Sequence, residues 1–127
     1  MVMMMQFNFD SSEPLYLQVA EQIENAIFLG SFATGEQIPS TTEISRDFQI
    51  NPATVLKGMN ILVADGLIQK KRGRGMFVLE DAQEKIRTKR KNEFFQDYIL
   101  NMIVEAKNLG LDENAIISLV ERGFEEG

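Results

Sequence analysis

The stretch INPATVLKGMNILVADGLIQKKRGRGMFV, residues 50–78, passes from a proline-opened apolar periodicity to a basic, glycine-punctuated turn and back to a short apolar segment. Asn51 is a good N-cap, and Pro52 suits the first helical position, where no N–H donor is needed. Val55, Met59, Leu62 and Val63 then recur at helical spacing and read as core, up to the stop at Asp65 and Gly66. Ile61 reads as surface or dimer-facing. Gly58 within this helix costs ~1 kcal/mol of helix propensity unless tight packing needs it. Beyond the stop, GLIQ and GMFVL are short apolar segments around KKRGRG. That order predicts a hairpin whose turn gathers Lys70, Lys71, Arg72 and Arg74.

Upstream, SSEPLYLQVAEQIENAIFLGSF carries a helical period. Ser12 is placed to accept from an early helix N–H, and Pro14 sits in the first turn. Leu15, Val19, Ile23, Ala26 and Ile27 form one apolar face, and Gly30 is placed to end it. FATGEQIPS reads as a loop, with a turn at Thr34 and Gly35 and an extended piece that Pro39 ends. The following STTE predicts a capping box, in which Ser40 takes the Glu43 N–H and the Glu43 carboxylate reaches back. The helix it opens turns Ile44 and Phe48 inward. Before all of this, QFNFD alternates polar and apolar residues and reads as a short strand or an arm. A helix, two helices joined by a tight turn, and a two-stranded basic hairpin make a winged helix-turn-helix.

The remainder, from residue 81, contains two more helical periodicities. Phe95, Ile99, Met102, Ala106 and Leu109 are spaced like a heptad stripe, and Gly110 can cap its end. Asp112 then starts a second helix with Ile116, Leu119, Val120 and Phe124. Two such helices are too short to bury these stripes alone. Pairing with the same segment of a second chain is the expected remedy, so Phe95, Ile99, Met102, Ala106, Leu109, Ile116 and Val120 form the candidate dimerisation set. The Phe94, Phe95 and Tyr98 cluster reads as interface or core, with the lining of a small ligand groove as the other option. The expected fold class is mainly α with a small β-hairpin: a winged helix-turn-helix over residues 1–80 and a two-helix dimerisation tail over 81–127.

Composition bounds the function. A chain of 127 residues holds one ordinary core and a small appendage. It has no apolar run near the roughly 18 residues that cross a bilayer, and its first residues lack the basic and apolar regions of a signal peptide. Without cysteine or histidine, disulfides, thiolate or histidine metal sites and histidine-based catalysis are all excluded, which argues against an enzyme and for a cytoplasmic protein. No metal and no cofactor is expected.

The net charge of −6 is adverse to a nucleic-acid partner, yet the positive charges are clustered. One group lies in the hairpin; the other runs through Lys85, Arg87, Lys89, Arg90 and Lys91 and reads mainly as a solvated helix face. The recognition helix would present its N-terminal turn, with free N–H groups, to the major groove. The wing would lay its arginines along backbone or minor groove. The candidate DNA-binding set is Ser40, Thr41 and Thr42; Asn51, Ala53, Thr54 and Lys57; and Lys71, Arg72, Gly73, Arg74 and Gly75, whose glycines permit close approach.

PLYLQVAEQIENAI, GEQIPSTTEIS, INPATVLKGMNILVADGLI and KKRGRGMFV, in that order over residues 14–78, resemble the GntR family of bacterial transcription regulators. NPATV followed by Lys57, with a short helical tail, is similar to its YtrA-type branch. The resemblance implies a cytoplasmic homodimer that represses its own or a neighbouring operon, often one for a transporter or for envelope stress. Other branches carry arginine at the positions of Thr42, Pro52 and Leu56, and alanine at Gly58. Base readout here therefore shifts to Asn51, Ala53, Thr54, Lys57 and the wing. The implied partners are double-stranded DNA with a palindromic operator and a second copy of the chain, with no membrane. A small effector is either absent or enters between the paired tails. The competing reading is a protein-interaction adaptor whose wing happens to be basic. Thr54 and Lys57 beside Arg72 and Arg74 separate the two, since an adaptor has no need of them.

Overall fold

The computed structural model describes residues 5–127, so the first four residues, read above for a signal peptide, lie outside it. The chain divides into two compact units, one running to Arg87 and the other Thr88–Gly127.

The first unit opens with an arm rather than a strand. Met5 is buried in the core, and Phe7 packs edge-on against Phe48 at 4.9 Å between ring centroids. The Asn8 N–H donates to Gln18 Oε1 at 2.8 Å, and Gln18 Nε2 returns a bond to the Asn8 carbonyl at 3.0 Å. Helix α1, Leu15–Phe28, has Pro14 at its N-cap and no side-chain cap. The expected cap from Ser12 is thus not made; the Pro14 carbonyl takes the Leu17 and Gln18 N–H groups at 3.1 and 3.2 Å. Proline here lies one position earlier than the sequence implied. Val19, Ile23, Ala26 and Ile27 are buried as their spacing requires, and Leu15 is half-buried.

Helix α2, Thr41–Phe48, begins with the capping box in full: the Glu43 N–H donates to Ser40 Oγ at 3.0 Å, and the Ser40 N–H to Glu43 Oε1 at 3.1 Å. Ile44 is buried beneath it. The chain reverses at Gln49, whose φ of 57° lies in the left-handed region. The Ser45 hydroxyl braces that turn by donating to the Ile50 carbonyl.

Helix α3, Pro52–Ala64, starts at Asn51, whose Oδ1 accepts the Ala53 N–H at 2.8 Å. Val55, Met59 and Leu62 are buried, each worth ~1.5–3 kcal/mol relative to exposure. Val63 is not core: it is exposed, because at 100° per residue it falls beside Leu56, on the outer flank of the helix. Gly58 is buried against α1, where an added Cβ would stand 2.6 Å from the Tyr16 carbonyl and 3.0 Å from Val19. The packing that justifies this glycine is therefore the α1–α3 crossing. After Asp65, Gly66 at φ 74° closes the helix, with the Leu67 N–H bonded to the Leu62 carbonyl at 3.0 Å.

Strands β1, Ile68–Lys71, and β2, Gly75–Val78, pair antiparallel with Ile68 opposite Val78 and Lys71 opposite Gly75. Lys70 and Lys71 belong to the strand, and the turn itself is Arg72, Gly73 and Arg74, closed by an Arg74 N–H to Lys71 carbonyl bond of 2.8 Å. The extended piece expected before Pro39 lies against β2. Gln37 bridges to Phe77, Gly35 N–H donates to the Val78 carbonyl, and Ile38 N–H to that of Met76, at 2.9 and 3.0 Å. Helix α4, Ala82–Phe94, begins in the first unit, where Ala82 and Ile86 join the core.

The second unit takes α4 through a π-helical turn, Phe95–Ile99, into α5, Leu100–Asn108. Gly110 ends α5, and Asp112 caps α6, Glu113–Glu126, by accepting the Ala115 N–H at 2.9 Å. The π turn breaks the heptad spacing, since one extra residue per turn moves Phe95 off the line of the residues that follow. Ala106 is buried within the unit, while Ile99, Met102 and Ile116 are half-buried and Phe95, Leu109 and Val120 exposed. Phe94 and Tyr98, 5.5 Å apart, are exposed as well, so the aromatic cluster is not core of the single chain. The fold is mainly helical with a small antiparallel hairpin, a winged helix-turn-helix followed by a C-terminal helical tail.

Candidate nucleic-acid interface

The burial of one side of α3 fixes what its other side shows. Ala53, Leu56, Lys57 and Asn60 stand at i, i+3, i+4 and i+7 and are all exposed, a continuous outward stripe. Thr54 lies on its flank and is half-buried. Leu56 and Asn60 were not in the sequence-derived set, although their spacing from Ala53 would have placed them there.

The start of α3 differs from expectation in one respect. Pro52 has no N–H, and the Ala53 N–H is taken by Asn51, while those of Thr54 and Val55 reach the Asn51 carbonyl at 2.9 and 3.1 Å. Free N–H groups are not what this helix end offers; a phosphate there would have to displace the Asn51 side chain. At the start of α2, Ser40 is committed to the capping box, and the half-buried Thr41 hydroxyl donates to Met59 Sδ at 3.6 Å. Thr42 alone of the three is fully exposed.

In the wing, Lys71 and Arg74 both stand over the Phe77 ring, at 4.6 and 5.5 Å from its centroid. Gln37 Nε2 donates to the Arg74 carbonyl at 2.7 Å and lies where a Cβ on Gly75 would have to go, so Gly75, at φ 117°, is doubly constrained. Gly73, at φ 73°, has open space around it. Among the described residues, Lys57, Lys71, Arg72 and Arg74 enter no ion pair, so their charge remains available to phosphate. In the second basic run, by contrast, Lys85 meets Asp81 at 3.4 Å and the Gly66 carbonyl at 3.3 Å, and Arg87 meets Glu84 at 2.7 Å. Two further residues, Tyr16 under Lys57 and Gln37 behind the wing, carried no sequence signal, because each acts across elements distant in the chain.

A capped helix-turn-helix with an unpaired cationic wing defines a DNA-binding transcription regulator of the winged-helix class. Residues 15–78 match the bacterial regulatory proteins of the gntR family, and the chain belongs to that family. It is similar to the uncharacterized HTH-type transcriptional regulator YhcF of Bacillus subtilis (strain 168), 28% identical over 119 residues that cover 94% of this chain and 96% of the relative. The HTH-type transcriptional repressor YtrA of the same organism is 28% identical over 109 residues, 86% of this chain and 83% of its own. Among solved structures, a GntR-family regulator from Bacteroides thetaiotaomicron superposes with a TM-score of 0.73 at 28% identity, covering 88% of this chain and 97% of that one. The DNA-binding domain of AraR in complex with operator ORX1 gives a TM-score of 0.53 at 32% identity, over 57% of this chain and 92% of its own. No helix among the described residues is long and apolar enough to cross a membrane.

Proposed function

We propose that this protein is a homodimeric, cytoplasmic repressor of the YtrA-type branch, which binds a palindromic operator of its own or a neighbouring operon. The observation that carries the reading is the pairing of an exposed stripe on α3 with wing cations that, among the described residues, no carboxylate neutralises. Similarity to YtrA over most of both chains supports the branch, and the AraR domain on its operator supports the mode of binding. Ala53, Thr54, Leu56, Lys57 and Asn60 meet base edges; Thr42, Lys71, Arg72 and Arg74, with Gly73 between the arginines and Gly75 after them, meet backbone.

The winged helix carries DNA binding and the tail carries dimerisation. Between α5 and α6 runs an open, largely apolar groove of about 400 Å³, lined by Met102, Ala106, Leu109, Ile116 and Val120 among others. Together with Phe95 and its neighbours it leaves an apolar surface that a second copy would cover.

The test is a mobility shift with duplex from upstream of the protein's own gene beside a random duplex of equal length. Preferential retention of the upstream fragment is expected, with log affinity falling against log salt at a slope of about −5 for six phosphate contacts. Equal, weak retention of both would favour the adaptor reading instead.

A further inference from the structure

At Gly58 the recognition helix lies so near α1 that even a methyl group would run into the Tyr16 carbonyl. One residue earlier, Lys57 lays its ammonium 3.9 Å above the centroid of the Tyr16 ring. The two observations fit together: glycine at 58 lets the helices lie close, and the ring of Tyr16, rooted in α1, lies under a side chain of α3. Tyr16 is half-buried and fixed by its helix, whereas Lys57 is exposed on the outward stripe with Ala53, Leu56 and Asn60. A lysine at such a place ordinarily samples many rotamers, and ordering it on binding weakens association. A π face beneath the ammonium orders it beforehand.

We propose that Tyr16 is a positioning residue for DNA recognition, holding the Lys57 ammonium over its ring so that the lysine meets the operator already in place. This rests on the reading of Lys57 as an operator contact. Tyr16 needs its ring for this and not its hydroxyl.

The experiment uses the full chain and a duplex that the wild-type protein selects from a random-sequence library, beside a scrambled duplex of the same composition. Affinities are measured for Tyr16→Phe, Tyr16→Leu, Lys57→Ala and the Tyr16→Leu, Lys57→Ala double variant. Tyr16→Phe should match wild type. Tyr16→Leu should lose about three- to ten-fold on the selected duplex and little on the scrambled one, and should have no further effect once Lys57 is alanine. An unchanged affinity for Tyr16→Leu, an equal loss without Lys57, or a Tyr16→Phe defect as large as that of Tyr16→Leu would each overturn the proposal. Should Tyr16→Leu fold poorly, proton NMR of wild type and Tyr16→Phe decides. The Lys57 ε-protons should be shifted upfield by the ring current in both, and unshifted protons would overturn the assignment. A wild-type chain that selects no duplex at all defeats the DNA-binding reading and this proposal with it; the other adverse results defeat the role of Tyr16 alone.

Discussion

Gly58 shows how a residue that looks costly in sequence is required by its surroundings. Replacing it with alanine gains about 1 kcal/mol of helix propensity, but the new methyl meets the backbone of α1, which cannot yield as a side chain could. We expect Gly58→Ala to lower stability by ~1–3 kcal/mol net, read from urea unfolding midpoints at unchanged slope. Asn51→Ala should cost about 1 kcal/mol in the same assay by removing the cap on the Ala53 N–H. The caps at Ser40 and Asn51 were legible because donor and acceptor lie within three residues, so the spacing itself is the signal. The neighbour that explains Gly58 was not, since nothing in the local pattern says which element crosses there. Val63 departs from its expected burial for a related reason: helical spacing locates an apolar arc without locating its edges.

At the level of elements, the recognition helix and the wing invite different tests. Arg72 and Arg74 face solvent without carboxylate partners among the described residues, so Arg72→Ala with Arg74→Ala should weaken binding to operator and random duplex alike and flatten the salt dependence. Thr54→Ala with Lys57→Ala should instead erode the preference for operator, by ~1–3 kcal/mol for each base-edge interaction these side chains make. Competition titrations at fixed salt separate the two patterns, and an unaltered preference in the helix variant would refute the assignment of base readout. Helix, turn and wing were readable because each carries its own period or punctuation. The extended piece ended by Pro39 was readable too, but not its partner, since three residues between Gly35 and Pro39 are too few to show alternation; only the ladder makes it a neighbour of β2. For the segment around Phe7 the sequence left strand and arm both open, and what decides for the arm, its hold on Gln18 and Phe48, is wholly tertiary.

For the molecule as a whole, the proposed dimer makes the tail what decides whether two recognition helices act together. Val120 is exposed in the single chain, so Val120→Asp should leave helicity intact while placing a charge in the seam between copies. Sedimentation at micromolar concentration should find it monomeric, with operator affinity much reduced because each protein then holds one half-site. A chain ending after Arg87 should behave alike; ending it near Glu80 would strip Ala82 and Ile86 from the core and confuse folding with assembly. Half-sites are expected about 10 bp apart or at a multiple of that spacing. The hairpin bears on the same question of what associates with what. Because β2 is flanked by β1 on one side and by residues 36–38 on the other, β1 is left at the margin of the sheet with its backbone groups open to any passing strand. Lys70, exposed in that strand, and Lys71 beside it make the margin repellent to a second copy, as edge lysines do in sheet proteins. A variant with threonine at both positions would be expected to precipitate at concentrations where the native chain stays dispersed, so the charges proposed to draw in DNA would also keep one wing from zipping onto another.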